Sequence, residues 1–326
     1  RFLLAMAALG ARSSRLDGDA RLRERPLGEL AEALREIGAR CETADGGRLP
    51  ARAGGSTVRG GAVRVAGRRS SQFASALLLI GSTLADGLRL AIEPPVVSSP
   101  YLRMTIDTLV SFGGRVDRSG DRSFRVVPGP LGGREVRIEG DHSSASYFLA
   151  AAAVVGGRVR VCGLTPASHQ PDAALGGMLA AAGCLVRRGA DWIEVEHHGP
   201  LRPLDLDMAD SPDLVPTVAV AASFAGGTSV LRNIAHLRHK ESDRLTTIAT
   251  NLARLGCPAE IGDDSLTIAS RGRPTRGALI ETASDHRIAM AFALAGLAVE
   301  GVAVDDARCV AKSNPRFWQQ LAWLTA

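Results

Sequence analysis

Residues 287–295 read RIAMAFALA, one arginine followed by eight apolar residues, four of them alanine. Alanine is the strongest helix former, so the run reads as an apolar helix with a polar start. Similar runs stand upstream: RFLLAMAAL from Arg1, QFASALLLI from Gln72, SYFLAAAAV from Ser146 and TVAVAASFA from Thr217. Their starts recur about every 70 residues, which is the mark of an internal repeat. After most of them comes a glycine-containing turn and a β-like run: LRLAIE from Leu88, RVRVCGL from Arg158, TSVLRNI from Thr228 and VAVDDA from Val302. A second helix-like motif recurs between them. LGELAEALREIGARCE, YLRMTIDTLVSFGGRVD, ALGGMLAAAGCLVR and LTTIATNLARLGCPAE all space apolar residues at i, i+3 and i+4. Each passes into a glycine (Gly38, Gly113, Gly183, Gly256), and PRFWQQLAWL opens a fifth copy. Alternating strands such as SFRVVPG from Ser123 and WIEVEHH from Trp192 follow. The unit therefore reads strand, helix, strand, helix, strands. At about 70 residues it is too long for a solenoid repeat and predicts small α/β lobes.

Composition bounds the function. With 326 residues, 45% apolar and 22% charged, the chain has the make-up of a globular protein of roughly two domains. The longest uncharged stretch, Leu214 to Leu231, contains Pro216 and Gly226-Gly227 and is shorter than the ~20 apolar residues a membrane span needs. No basic-then-apolar leader opens the chain, so a secretory route is not expected. Five cysteines (Cys41, Cys162, Cys184, Cys257, Cys309) are scattered and lack a C-x-x-C pair, which argues against a disulfide framework or a zinc site and suits the cytoplasm. The net charge of +5 invites a nucleic-acid reading, but aromatics are 4% and the basic residues are dispersed among 34 acidic ones. Of the 39 basic residues all but two are arginine; the lysines are Lys240 and Lys312. Arginine and lysine are not interchangeable where a compact ammonium is needed, so both lysines are candidates for anion contact.

The alanine-rich helices begin at different polar clusters: Ser70-Ser71-Gln72, Asp141-His142-Ser143-Ser144, Asp210-Ser211-Pro212-Asp213 and Ser284-Asp285-His286-Arg287. Taken singly, each is an ordinary N-cap. Repeated with variation, such helix starts could line an anion-binding cleft, because free amides and the helix dipole favour negative charge there. The densest cluster is RHKESDRL, Arg238 to Leu245, read as opening the helix with the apolar face Leu245, Ile248, Ala249 and Leu252. On that reading Lys240 and Arg244 are i, i+4 neighbours, a like-charge pair that needs anions to offset it. Lys240, Glu241 and Arg244 would then offer an ammonium, an acid–base carboxylate and a guanidinium within one turn.

Together these motifs resemble 5-enolpyruvylshikimate-3-phosphate synthase, the 3-phosphoshikimate 1-carboxyvinyltransferase family. The stretches that carry the resemblance are RERPLG, SSQFASALLL, SSPYLRMT, GDHSSASYFLAAAA, DMADSPDLVPTVAVAA, LRNIAHLRHKESDRL, SDHRIAMAFALAGLAV and CVAKSNPRFW, in the family's order along the whole chain. The resemblance implies a two-lobed enolpyruvyl-transferase fold, an inside-out α/β barrel built from βαβαββ units around a cleft. The lobes would be residues 1–139, incomplete, and 140–326, nearly complete. The implied reaction moves the enolpyruvyl group of phosphoenolpyruvate to the 5-hydroxyl of shikimate-3-phosphate and releases phosphate, with no metal or other cofactor. The partners are then these two small molecules, with no nucleic acid or membrane, and the protein is expected to be a cytoplasmic monomer.

Carried over position by position, Ser70, Ser71, Ser98 and Lys240 look like ligands of the shikimate phosphate. By the same resemblance Tyr101 would lie beside that site, and Gln72 between the substrates. Asp213 looks like the base that takes the 5-hydroxyl proton, and Glu241 like the group that exchanges a proton with the methylene carbon. Arg25, Arg244, Arg287 and Lys312 look like the clamp on phosphoenolpyruvate, with His286 adjacent. His236 stands where many relatives carry Asn, and AKSNP replaces AKSFP around Lys312. The family's N-terminal Lys-Ser motif and its N-A-G-T segment do not occur, so the chain is expected to be truncated and, alone, inactive or nearly so. The sister transferase acting on UDP-N-acetylglucosamine is the nearest alternative, but it uses a loop cysteine and lacks K-E-S-D-R. A nucleic-acid-binding protein and a non-catalytic fragment are the alternatives from other classes.

Overall fold

Five alanine-rich helices occupy the expected places, at Phe2–Ala8, Gln72–Gly81, His142–Val155, Val215–Ala222 and His286–Ala298. The structure is a computed structural model and describes all residues except 69, 166, 167, 325 and 326. It divides into two compact units, Arg1–Arg137 and Ile138–Ala326; the sequence reading placed the boundary after residue 139. In the second unit the last three of these helices pack against one another. Ala150, Ala219, Ala289 and Ala291 on them are wholly buried, and such small side chains let helix backbones approach closely.

Helices Gln72–Gly81 and Val215–Ala222 each follow a strand of a parallel pair. In the first unit, strands Gly61–Ala66, Leu88–Glu93, Ser123–Val127 and Arg115–Arg118 lie side by side in that order; the first pair is parallel and the others antiparallel. In the second, Asp205–Asp207, Gly226–Arg232, Ser265–Arg271 and Ala259–Ile261 repeat the same order and senses. These two repeats are complete βαβαββ units, with second helices at Ser99–Ser111 and Arg244–Arg254. Two three-stranded antiparallel sheets show the same order without a first strand. They are Gly157–Cys162, Trp192–His197, Leu185–Arg188 and Ser14–Leu16, Arg48–Ala53, Cys41–Ala44. Residues 128–141, where the repeat pattern puts another first strand, form none. Pro128, Pro130 and three glycines fill its first half, and Val136 and Ile138 remain exposed; proline and glycine both disfavour a strand interior.

The parallel pairs decide where chemistry can gather, because ligands in open α/β sheets bind beyond the carboxyl ends of such strands. The loops leaving those ends carry the polar clusters. In the first unit two of them run side by side: Gly67 N–H donates to the Glu93 carbonyl at 2.9 Å and Val97 N–H to the Gly67 carbonyl at 3.2 Å. A Cβ on Gly67 would lie 2.8 Å from the Glu93 and Pro95 carbonyl oxygens and 2.9 Å from Val96 Cα, all backbone. Gly67→Ala is therefore expected to destabilise the chain by about 1–3 kcal/mol in denaturant unfolding, since the two loops must part. An unchanged midpoint would show that they are not held this tightly.

Candidate active site

In the first unit, the Arg1 guanidinium gathers several sequence-predicted residues. It donates to Ser70 Oγ at 3.0 Å, Gln72 Oε1 at 2.9 Å and the Pro26 carbonyl at 3.3 Å, and lies 4.8 Å from the Phe73 ring centroid. Arg25, next to Pro26, ends the short helix Ala20–Glu24. Ser71 and Ser98 are buried at the starts of their helices, and Ser98 is in the left-handed region, φ 58°. Thr105, one turn beyond Tyr101, ties the two helices together through a 2.8 Å bond to Ser75 Oγ. Arg1 was not among the residues singled out, although the repeat could have found it: it opens the run RFLLAMAAL just as Arg287 opens RIAMAFALA.

The second unit builds a denser network around Arg244, whose side chain has no exposed surface. Its Nε donates to Asp285 at 2.8 Å, Nη1 to Asp213 at 2.7 Å and Nη2 to Glu241 at 2.8 Å. Four more contacts extend it. Arg287 Nη2 lies 3.0 Å from Asp213 Oδ2, Lys240 Nζ 3.8 Å from Asp213 Oδ1 and Lys312 Nζ 3.3 Å from Glu241 Oε1, while Ser242 Oγ donates to Asp285 at 3.1 Å. Both lysines of the chain thus reach this network.

One sequence expectation is corrected. Lys240 is not a helical neighbour of Arg244, because the helix starts at Arg244: the Asp243 side chain accepts from Thr246 N–H and caps it. Lys240 instead ends the 3-10 turn Ala235–His239 in extended backbone. The two like charges still meet at Asp213 Oδ1, and that carboxylate supplies the offset. Capping and chemistry also coincide at Asp285, which accepts from Arg287 N–H at 3.0 Å while holding Arg244. Asp285 was legible as a cap; its second role needed the fold.

Burial opposes ionisation of Asp213, but Lys240, Arg287 and Arg244 outweigh it and hold its carboxyl well below the usual range. Burial likewise resists charge on Asp285, and Arg244 overcomes it. Burial lowers the Lys240 ammonium even with Asp213 beside it. It also pushes His236 and His286 down to about 4, so both rings are neutral at pH 7. Asp172, at the 3-10 turn Pro171–Ala174, behaves oppositely: burial, then Asp213, raises it to about 6.

These shifts give a stability profile. Buried neutral histidines with lowered folded values stabilise above their unfolded value near 6.5, and that contribution is lost as pH falls toward 4. Asp213 and Asp285, depressed in the fold, lose theirs below their unfolded value near 3.8. Asp172 alone works the other way between about 6 and 4. Burial lowers His142 too, so three histidines oppose one carboxyl, and the unfolding midpoint in denaturant should fall as pH drops from 6.5 to 4 and fall further below 4. A midpoint rising over the upper window would contradict this.

Among the described residues no group of His, Cys, Asp and Glu could hold a metal ion, and no helix is long and apolar enough to cross a membrane. The sequence profile of the family described as EPSP synthase (3-phosphoshikimate 1-carboxyvinyltransferase) matches residues 1–321. A 3-phosphoshikimate 1-carboxyvinyltransferase of Methanoculleus marisnigri is 42% identical over 98% of this chain and 76% of the relative. One from Syntrophobacter fumaroxidans is 44% identical with the same coverage of both. The solved EPSP synthase of Acinetobacter baumannii superposes with a TM-score of 0.80 at 27% identity, over 99% of this chain and 76% of that one. Sequence along the whole chain and the repeated fold agree, and the chain belongs to the EPSP synthase family.

Proposed function

We propose that this chain carries out the family's reaction, transfer of the enolpyruvyl group from phosphoenolpyruvate to the 5-hydroxyl of shikimate-3-phosphate. The observation that carries the reading is the Arg244 network, in which four cations (Arg244, Arg287, Lys240, Lys312) meet carboxylates at Asp213, Glu241 and Asp285. Such a set can exchange carboxylate partners for substrate phosphate and carboxylate groups, since both anions suit guanidinium donors. Asp213 takes the 5-hydroxyl proton as that oxygen adds to C2 of phosphoenolpyruvate, while Glu241 delivers a proton to C3. Phosphate then leaves C2 with the proton that Asp213 held, and C3 returns its proton to Glu241, restoring the double bond. Asp213 is a weak base while three cations hold it. Each cation that turns to a substrate anion leaves it more basic, so binding and base strength rise together.

Lys240 and His236 hold shikimate-3-phosphate in the second unit, and Ser70, Ser71, Gln72, Ser98 and Tyr101 do so in the first. Arg25, Gln72, Arg244, His286, Arg287 and Lys312 take phosphoenolpyruvate. The residues act without a resident cofactor, in a cytoplasmic monomer. The chain spans about three quarters of the relatives it matches. The test is phosphate release that requires both substrates, measured on this chain and on the chain joined to the part of a relative that it does not span. Release in either form supports the reading; its absence from both, with folded protein, overturns it.

A further inference from the structure

Asp172 belongs to none of the roles above, yet it has the burial and position of a working residue. Its surface is 2% exposed, Ser143 Oγ donates to its Oδ2, and its Oδ1 is buried with no hydrogen-bond partner among the described residues. The turn that carries it is anchored on both sides. Ser211 Oγ donates to the Pro171 carbonyl at 3.0 Å, two residues from Asp213, and the turn packs on helix His142–Val155. Its place in the repeat is informative. In this unit the connections leading into the second helices carry Lys240 and Glu241 before Arg244–Arg254, and Lys312 before Phe317–Leu324. The corresponding connection before Leu175–Ala181 carries Asp172.

A buried carboxyl oxygen without a donor is costly when ionised and cheaper when the group keeps its proton. The groups that act on Asp172 are Asp213 and Asp141, which disfavour its charge, and Arg287 and Ser143, which favour it. Arg287 is also the cation on Asp213 Oδ2.

We propose that Asp172 is a positioning residue for the Asp213–Arg287 pair, a further carboxyl that adds or withdraws one buried negative charge and so sets how strongly the second unit holds an anion. The inference rests on the anion-binding part of the function above and not on the chemistry of transfer. Losing the Asp172 proton makes the network one charge less attractive to phosphate or carboxylate and strengthens the competing claim on Arg287. Reciprocally, an anion bound at the network raises the affinity of Asp172 for its proton by the same factor.

The probe is sulfate, whose charge stays constant from pH 5 to 8. Sulfate affinity of the intact chain is measured calorimetrically across that range, alongside the carboxyl resonances of 13C-labelled aspartate. Binding should be about three- to tenfold tighter at pH 5 than at pH 7.5, as expected for a shift of up to one pKa unit on binding. One resonance, absent from Asp172→Asn, should titrate near pH 6 and move upward with sulfate. Asp172→Asn should bind sulfate at pH 7.5 as tightly as the parent does at pH 5, with a flat profile. Ser143→Ala, which removes a bond that favours the ionised form, should move the midpoint upward. A purely structural role predicts a uniform loss of affinity at every pH, and that result overturns the proposal. So does a parent profile that Asp172→Asn leaves unchanged, a parent that binds no sulfate, or the absence of any carboxyl titrating between 5 and 7. Failure of transfer with this sulfate profile intact would instead remove the proposed reaction and leave Asp172 its role.

Discussion

Arg244→Met is expected to cost the second unit about 3–5 kcal/mol of stability at pH 7, read as a large drop in the urea midpoint, because it strips one partner from a buried ion cluster. Methionine approximates the arginine volume, so little of the loss comes from a cavity. The loss comes from Asp285, itself without exposed side-chain surface, and from Asp213 and Glu241, left close together without the guanidinium that joins them. Exposure decides the magnitude. Arg59 and Asp86 pair at a similar 3.0 Å, but with side chains 70% and 49% exposed, so deleting that pair should barely move the midpoint. Adding Asp285→Asn to Arg244→Met should recover part of the loss, since contacting residues couple. A single mutant within about 1 kcal/mol of the parent would mean that solvent screens the cluster despite its burial.

How much of this was legible follows from what each residue signals locally. The repeat was legible because alanine-rich helices at constant spacing leave a one-dimensional trace, and both lysines stood out because the chain otherwise uses arginine. The RHKESDRL cluster was found, but its backbone was misread: charge spacing suggested one continuous helix, whereas the capping aspartate three residues after Lys240 ends any such continuity. Arg1 was visible only to a comparison of repeat starts. Asp172 sits in QPDAAL, a stretch that by itself reads as an ordinary helix entry. Its importance arises from Ser143 and Asp213, 29 and 41 residues away in sequence, and no local pattern encodes that meeting.

Asp213→Asn should separate two properties that a structural lesion would damage together. Turnover should fall by about 10²- to 10⁴-fold, the usual contribution of a positioned proton acceptor, because the amide cannot take the hydroxyl proton. Anion affinity should rise. Lys240, Arg287 and Arg244 all spend charge on Asp213, and the neutral side chain frees that charge for phosphate or sulfate. Asparagine keeps the shape and one acceptor oxygen, so Arg244 retains a hydrogen bond as well as its bonds to Asp285 and Glu241. The drop in stability should therefore be much smaller than for Arg244→Met. Turnover is followed as phosphate release in whichever form of the chain is active, and affinity by sulfate titration at fixed pH. Weaker turnover with weaker anion binding would place Asp213 among the residues that merely hold the network together. Weaker turnover with tighter binding is the signature of a base whose charge the surrounding cations suppress until substrate anions draw them away.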